Sequence, residues 1–150
     1  MRCTGVALAI ALLASTMADA RPTRTSVTAR NRATVTAFAH LLYDRKQVAT
    51  AFTRFVAADY VQHNPGIADG RDAAVAALAP MFAQPDARFE VKRILVDGDM
   101  AAIHLFGRGD AATPGAAVVD LYRLSHGRIV EHWDVLQPIP ATSRNPHPMF

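Results

Sequence analysis

The residues best suited to proton chemistry lie close together near the end of the chain. Ala117 to Gln137 reads AVVDLYRLSHGRIVEHWDVLQ and holds Asp120, Glu131, His132 and Asp134. Carboxylates and an imidazole in one pocket can remove a proton from carbon and return it elsewhere. Two runs of strand-forming residues flank Ser-His-Gly-Arg, which is a hairpin signal. Side chains on a strand alternate between faces, so the pairing of this hairpin decides which of these groups meet. A two-residue loop centred on His126 and Gly127 would set Asp120 opposite Trp133. A three-residue loop with Gly127 in the left-handed conformation would set Asp120 opposite His132, with Asp134 on the same face. Glycine takes positive φ at little cost, and the three-residue loop is therefore expected. It gathers Asp120, His132 and Asp134 on one surface and turns Glu131 and Trp133 to the other.

Other candidates complete the set. His63 precedes Asn64-Pro65, where an extended segment meets a loop, and can donate to a substrate oxygen or hold an aspartate. An apolar pocket would raise the carboxyl pKa of Asp134 towards the working range of a general base. Asp120, sharing that pocket, would stay protonated as the acid; the plain alternative is an ion pair to Arg123 or Arg93. His63, Asp120, His132 and Asp134 also form a two-histidine, two-carboxylate set of a kind that chelates metal. Tyr60, Tyr122, Phe38 and Phe55 are expected as pocket wall or core. His104 is either a pocket residue or a satisfied core histidine. Trp133, facing the other side, suits an interface.

These groups need a scaffold. Asn31 is a good N-cap for a helix from Arg32 to about Arg45, with Val35, Phe38, Leu41 and Leu42 on one face. Gln47 to Phe55 reads as a second helix, Asp59 to His63 as extended, and Asp72 to about Met81 as a third helix closed by Pro80 and Pro85. Four antiparallel strands complete the domain: Arg88–Asp97, Met100–Arg108, Ala117–Leu124 and Arg128–Gln137. Residues 138–150 form a proline-rich tail. Helices followed by a strand meander indicate an α+β fold, helices packed on a curved sheet whose mouth can hold a ligand.

Composition narrows the function. The chain has 150 residues, enough for one domain, and a formal net charge of +3. There is no Lys/Arg block, so nucleic acid is not an expected partner. Residues 1–20 read as a signal peptide: Arg2, an apolar run from Val6 to Ala14, and an Ala18-Asp19-Ala20 cleavage site. The apolar run is too short to span a bilayer. A periplasmic or secreted protein is therefore expected, with no membrane attachment after cleavage. The single cysteine, Cys3, would be lost, removing disulfide and thiol chemistry. Residues 21–30 read as a disordered lead-in.

Tyr60-Val61-Gln62-His63-Asn64-Pro65, Ala68-Asp69-Gly70, Val119 to Leu124 and above all Gly127 to Gln137 resemble SnoaL-like proteins of the nuclear transport factor 2-like superfamily. The resemblance runs from about Asn31 to Phe150. It implies a cone-shaped α+β barrel, dimeric through the outer face of its sheet. The best-known members are polyketide cyclases that close a ring by aldol condensation without metal or cofactor. Their acid/base aspartate on the last strand matches Asp134. Its partner, fourteen positions earlier, matches Asp120, where the founding cyclases favour histidine. The sequence therefore points to an exported, cofactor-independent acid/base enzyme acting on a small hydrophobic carbonyl compound by enolisation, leading to aldol-type cyclisation or isomerisation. Asp134 is the expected base, Asp120 the acid, and His63 and His132 the orienting donors. The alternatives are a non-catalytic binding module using the same cone, or a structural dimeric domain.

Overall fold

The computed structural model describes residues 22–150. The signal-peptide reading of residues 1–20 lies outside them. Three helices, α1 (Arg24–Ala39), α2 (Val48–Phe55) and α3 (Arg71–Phe82), pack on a sheet of β1 (Val56–Gln62), β2 (Arg88–Asp97), β3 (Met100–Arg108), β4 (Ala116–Ser125) and β5 (Arg128–Pro138). The strand order is β1-β5-β4-β3-β2. The last four strands are antiparallel, and β1 joins the edge parallel to β5. This is the expected α+β cone, though its sheet stays open, with β1 and β2 as edges.

The first helix starts earlier than the sequence suggests. Thr23 is its N-cap, accepting from the Ser26 amide at 3.2 Å, so residues 24–30 are helical and not a disordered lead-in. Asn31 is no cap: it is buried, and its Nδ2 donates to the Gly98 carbonyl at 2.9 Å. Thr28 accepts from the Gly98 amide at 2.9 Å. The helix thus grips the β2–β3 turn through polar residues that read as surface.

After Ala39 the helix widens into a π-turn, His40–Asp44, with Arg45 N–H bonded to the His40 carbonyl at 3.0 Å. Such a turn inserts one residue and rotates the rest of the helix about its axis. Here both Leu42 and Tyr43 end up buried. The core is built from Val35, Phe38, Val48 and Phe52 of the helices against Ile103, Leu105, Leu124 and Ile129 of the sheet. Each fully buried side chain of this size contributes roughly 1.5–3 kcal/mol. Helix α3 runs through Pro80 to Phe82. In the last turn a proline removes only one hydrogen bond, so it does not stop the helix where the sequence suggests.

The β4–β5 hairpin differs from expectation in an informative way. Its loop has two residues, His126 (φ 49°) and Gly127 (φ 77°), with Ser125 paired to Arg128. Positive φ at both positions is the turn geometry that matches strand twist. Alone, that loop would oppose Asp120 to Trp133. The ladder instead steps from Leu124–Ile129 to Arg123–Glu131, leaving Val130 as a bulge. Beyond the bulge, Tyr122 faces His132 and Asp120 faces Asp134. The expected Asp120–His132 pairing is therefore wrong by two residues, yet Asp120, His132 and Asp134 still share the inner face.

Candidate active site

The inner face of β4–β5 closes one side of a cavity of about 420 Å³. Helix α3 and the π-turn close the others, through Leu78, Phe82 and Leu42. This volume suits a small organic ligand, and the walls are mostly apolar. Tyr60, Asn64, Asp120, Tyr122, His132 and Asp134 supply most of its polar lining.

Asp134 sits on this wall, half-buried. Asn64 Nδ2 donates to its Oδ2 at 2.5 Å. The Asn64 amide is itself fixed: its Oδ1 accepts from the Gly66 N–H at 2.8 Å, closing an Asx turn over Pro65. Among the described residues no donor contacts Asp134 Oδ1, which is left to the cavity. Among the described residues Asp134 makes no hydrogen bond to the helices.

Asp120 is only 8 % exposed. It makes no ion pair with Arg123 or Arg93. Arg123 pairs with Glu131, and Arg93 with His104. Tyr43 donates to Asp120 Oδ2 in a very short contact. His132 Nε2 lies 3.2 Å from Asp120 Oδ1. The other ring nitrogen, Nδ1, lies 2.8 Å from Gln62 Oε1. That oxygen also accepts from the Asn64 amide at 2.9 Å, which identifies it as the carbonyl end of the side chain. His132 Nδ1 must therefore carry a proton, and Nε2 faces Asp120. His132, expected as an orienting donor, holds Asp120 rather than reaching for a substrate oxygen.

Behind Asp120 runs a chain of hydroxyls, with Tyr122 3.1 Å from Tyr43. Burial first, and the Asp120 charge second, push the Tyr43 and Tyr122 hydroxyls well above the usual tyrosine pKa. The same two causes, in the same order, raise Tyr60. All three are neutral hydroxyls at any physiological pH. Tyr60 accepts from Gln62 Nε2 at 3.2 Å, and among the described residues its own proton has no acceptor.

Four of the nine sequence candidates are not in the cavity. His63 lies on the outer face, stacked on Trp133 with ring centroids 4.6 Å apart, and bonded to Glu131 at 2.8 Å. The hydrogen bonds from His63 and then from Arg123 hold the Glu131 carboxyl below its ordinary value. The four-residue metal set is therefore not assembled. Asp120, His132 and Asp134 alone bring one ligand atom each within 4.8 Å of one another, close enough to approach a common cation. His104 also faces outward, beside Phe150 of the tail. Phe38 and Phe55 pack edge-on in the core behind Tyr122 and do not line the cavity. Tyr60 and Tyr122 do line it. Sequence reasoning misses Tyr43 and Gln62 and treats Asn64 as a turn residue only. Strand alternation from Tyr60 would place Gln62 and Asn64 inward and His63 outward.

Helices over a curved mixed sheet, with an aspartate pair on the last two strands facing a cavity, define an α+β cone fold with an inner pocket. The SnoaL-like domain family model matches residues 32–132, and the chain belongs to that family. Among solved structures, an NTF2-like protein of unknown function from Mesorhizobium loti is similar at 25% identity. The match covers 73% of this chain and 93% of that one, with a TM-score of 0.64. A steroid delta-isomerase from Pseudomonas aeruginosa is similar at 21% identity, covering 74% and 82%, with a TM-score of 0.59. An LEH-like epoxide hydrolase from M. tuberculosis is similar at 22% identity, covering 73% and 84%, with a TM-score of 0.57. At these identities the last two show the fold alone. No curated protein sequence matches the chain.

Proposed function

We propose that the protein is an exported acid/base enzyme that enolises a small hydrophobic carbonyl compound, leading to aldol-type cyclisation or isomerisation, with no cofactor. The observation that carries this reading is Asp134. One carboxylate oxygen is held by Asn64 and the other is open to an apolar cavity. A base so placed takes a proton α to a carbonyl with little reorganisation. Tyr60, whose hydroxyl proton is unclaimed, takes the role expected of His63 and donates to the developing enolate oxygen. The enolate then attacks a second carbonyl, or Asp134 returns the proton to another carbon. Asp120 with His132 supplies a proton to the second oxygen. The pattern of residues 1–20 supports export. The outward Val119, Leu121, Trp133 and Val135, the last 62 % exposed, support a dimer through the outer sheet face. Isomerases with this fold make the chemistry compatible with the scaffold.

The test is hydrogen exchange in D₂O with a panel of hydrophobic ketones, followed by NMR. The wild type should introduce deuterium α to the carbonyl of at least one ketone. D134N should lower that rate by about 10²–10⁴, and H63A should leave it unchanged. No exchange above buffer, or equal rates for D134N, would sink the proposal. A non-catalytic binding module is the second reading. It is favoured by the internal satisfaction of Asp120 and His132, and it predicts ligand binding with no exchange at all.

A further inference from the structure

The cavity has a second pole that the proton chemistry does not use. Arg108, at the end of β3, lines the same cavity as Asp134. Apart from His132, whose ring nitrogens face Gln62 and Asp120, it is the only basic side chain on that lining among the described residues. Its Nη2 donates to the Asp86 carbonyl at 3.3 Å, which fixes the guanidinium at the rim. Its Nε is buried and has no hydrogen-bond partner among the described residues. A buried donor left unpaired is unfavourable, and an anion at that point would satisfy it.

The ladder gives the spacing. Asp120 pairs with Ile103 on β3, and Arg108 lies five positions further along that strand. At 3.3–3.4 Å per residue this is roughly 17 Å. The cavity wall between the two poles is apolar, with Leu105, Val118, Phe89 and Leu136. The carboxylate end is deep, since Asp120 is 8 % exposed. The Arg108 end is the mouth, where Leu136 is 55 % exposed. The loop after Arg108 is drawn close to α3 there, a Cβ on Gly109 falling 2.9 Å from Met81 Cγ.

We infer that Arg108 binds an anionic head group, so the ligand is an amphiphilic acid: a carboxylate at the mouth, an apolar body along the wall, and the reacting carbonyl at Asp134. The inference rests on the proposed reaction only for the last of these three parts. A neutral head group could accept from Arg108 Nε but would leave the guanidinium charge uncompensated. The Asp134 carboxylate at the deep end also repels an acid that enters head first, which sets the orientation.

The test compares decanoate with 1-decanol by calorimetry, and follows the Arg108 Nε–H resonance by NMR. Wild-type protein should bind decanoate about tenfold more tightly, as one charge-assisted contact supplies. R108M should bind both alike, and R108K should recover part of the preference. The Nε–H resonance should shift further with decanoate than with 1-decanol, a readout that needs no variant. Failure of the wild type to bind decanoate more tightly, an unmoved resonance, or an undiminished preference in R108M would overturn the inference. If the preference holds while no ketone exchanges deuterium, the anion site stands and the enolisation reading falls.

Discussion

Tyr43 and Tyr122 are a pair of buried hydroxyls with unequal tasks, and replacing each by phenylalanine separates them. Tyr43 donates to the Asp120 carboxylate and also bonds Tyr122 at 3.1 Å. Among the described residues the Tyr122 hydroxyl bonds Tyr43 alone. A hydrogen bond to a charged acceptor contributes about 1.5–3 kcal/mol, and a neutral pair about 0.5–1.5 kcal/mol. Both residues line the cavity, so water can reach the orphaned atoms and hold the costs near the lower ends. Y43F should therefore destabilise by about 2 kcal/mol and Y122F by about 1 kcal/mol. Y43F alone already breaks the bond to Tyr122, so the double variant should fall short of the sum by about 0.5–1 kcal/mol. Urea unfolding with a common m-value gives all three numbers, and the Y43F melting temperature should drop by roughly 4–8 °C. If Y122F costs as much as Y43F, Tyr43 does not donate to an ionised Asp120. If the two changes add within about 0.3 kcal/mol, the hydroxyls are not one chain. Either result refutes the hydrogen-bonded network drawn around Asp120.

The chain has three tyrosines, and all three are raised above their ordinary value. Their neutral forms are favoured in the fold. That stability is fully present below about pH 10, the unfolded value, and is lost as pH rises above it towards the folded values. An alkaline titration read by tyrosinate absorbance should therefore show no tyrosinate while the circular dichroism is native, and then a single rise on unfolding. A normal curve near the unfolded value in the folded protein would contradict the buried placement. Gly115 has φ +91°, and a Cβ there would meet the Gly107 carbonyl at 2.8 Å and Phe106 at 2.6 Å. G115A should cost about 2–4 kcal/mol in urea unfolding, from left-handed strain plus overpacking. A change under about 0.5 kcal/mol would mean that this end of the β3–β4 ladder yields easily.

The sequence reveals which face each site residue takes because face depends only on whether the residue count is odd or even. A three-residue loop and a two-residue loop with one bulge have the same parity. Asp120, His132 and Asp134 accordingly meet as expected, although Asp120 faces Asp134 and not His132. No residue pattern announces the bulge at Val130. The same holds for the π-turn, which no residue pattern announces and which carries both buried Leu42 and buried Tyr43. The His63 error has a different origin. Its chemistry and its place before a loop single it out, although alternation from Tyr60 sets Gln62 and Asn64 inward. The consequence bears on function. Both irregularities act on Asp120, one setting its cross-strand partner and the other supplying its Tyr43 donor. The fold alone therefore does not set the environment of this one carboxylate; the bulge and the π-turn do. A reaction is best inferred from Asp120, Asp134 and their donors, not from the cone that contains them.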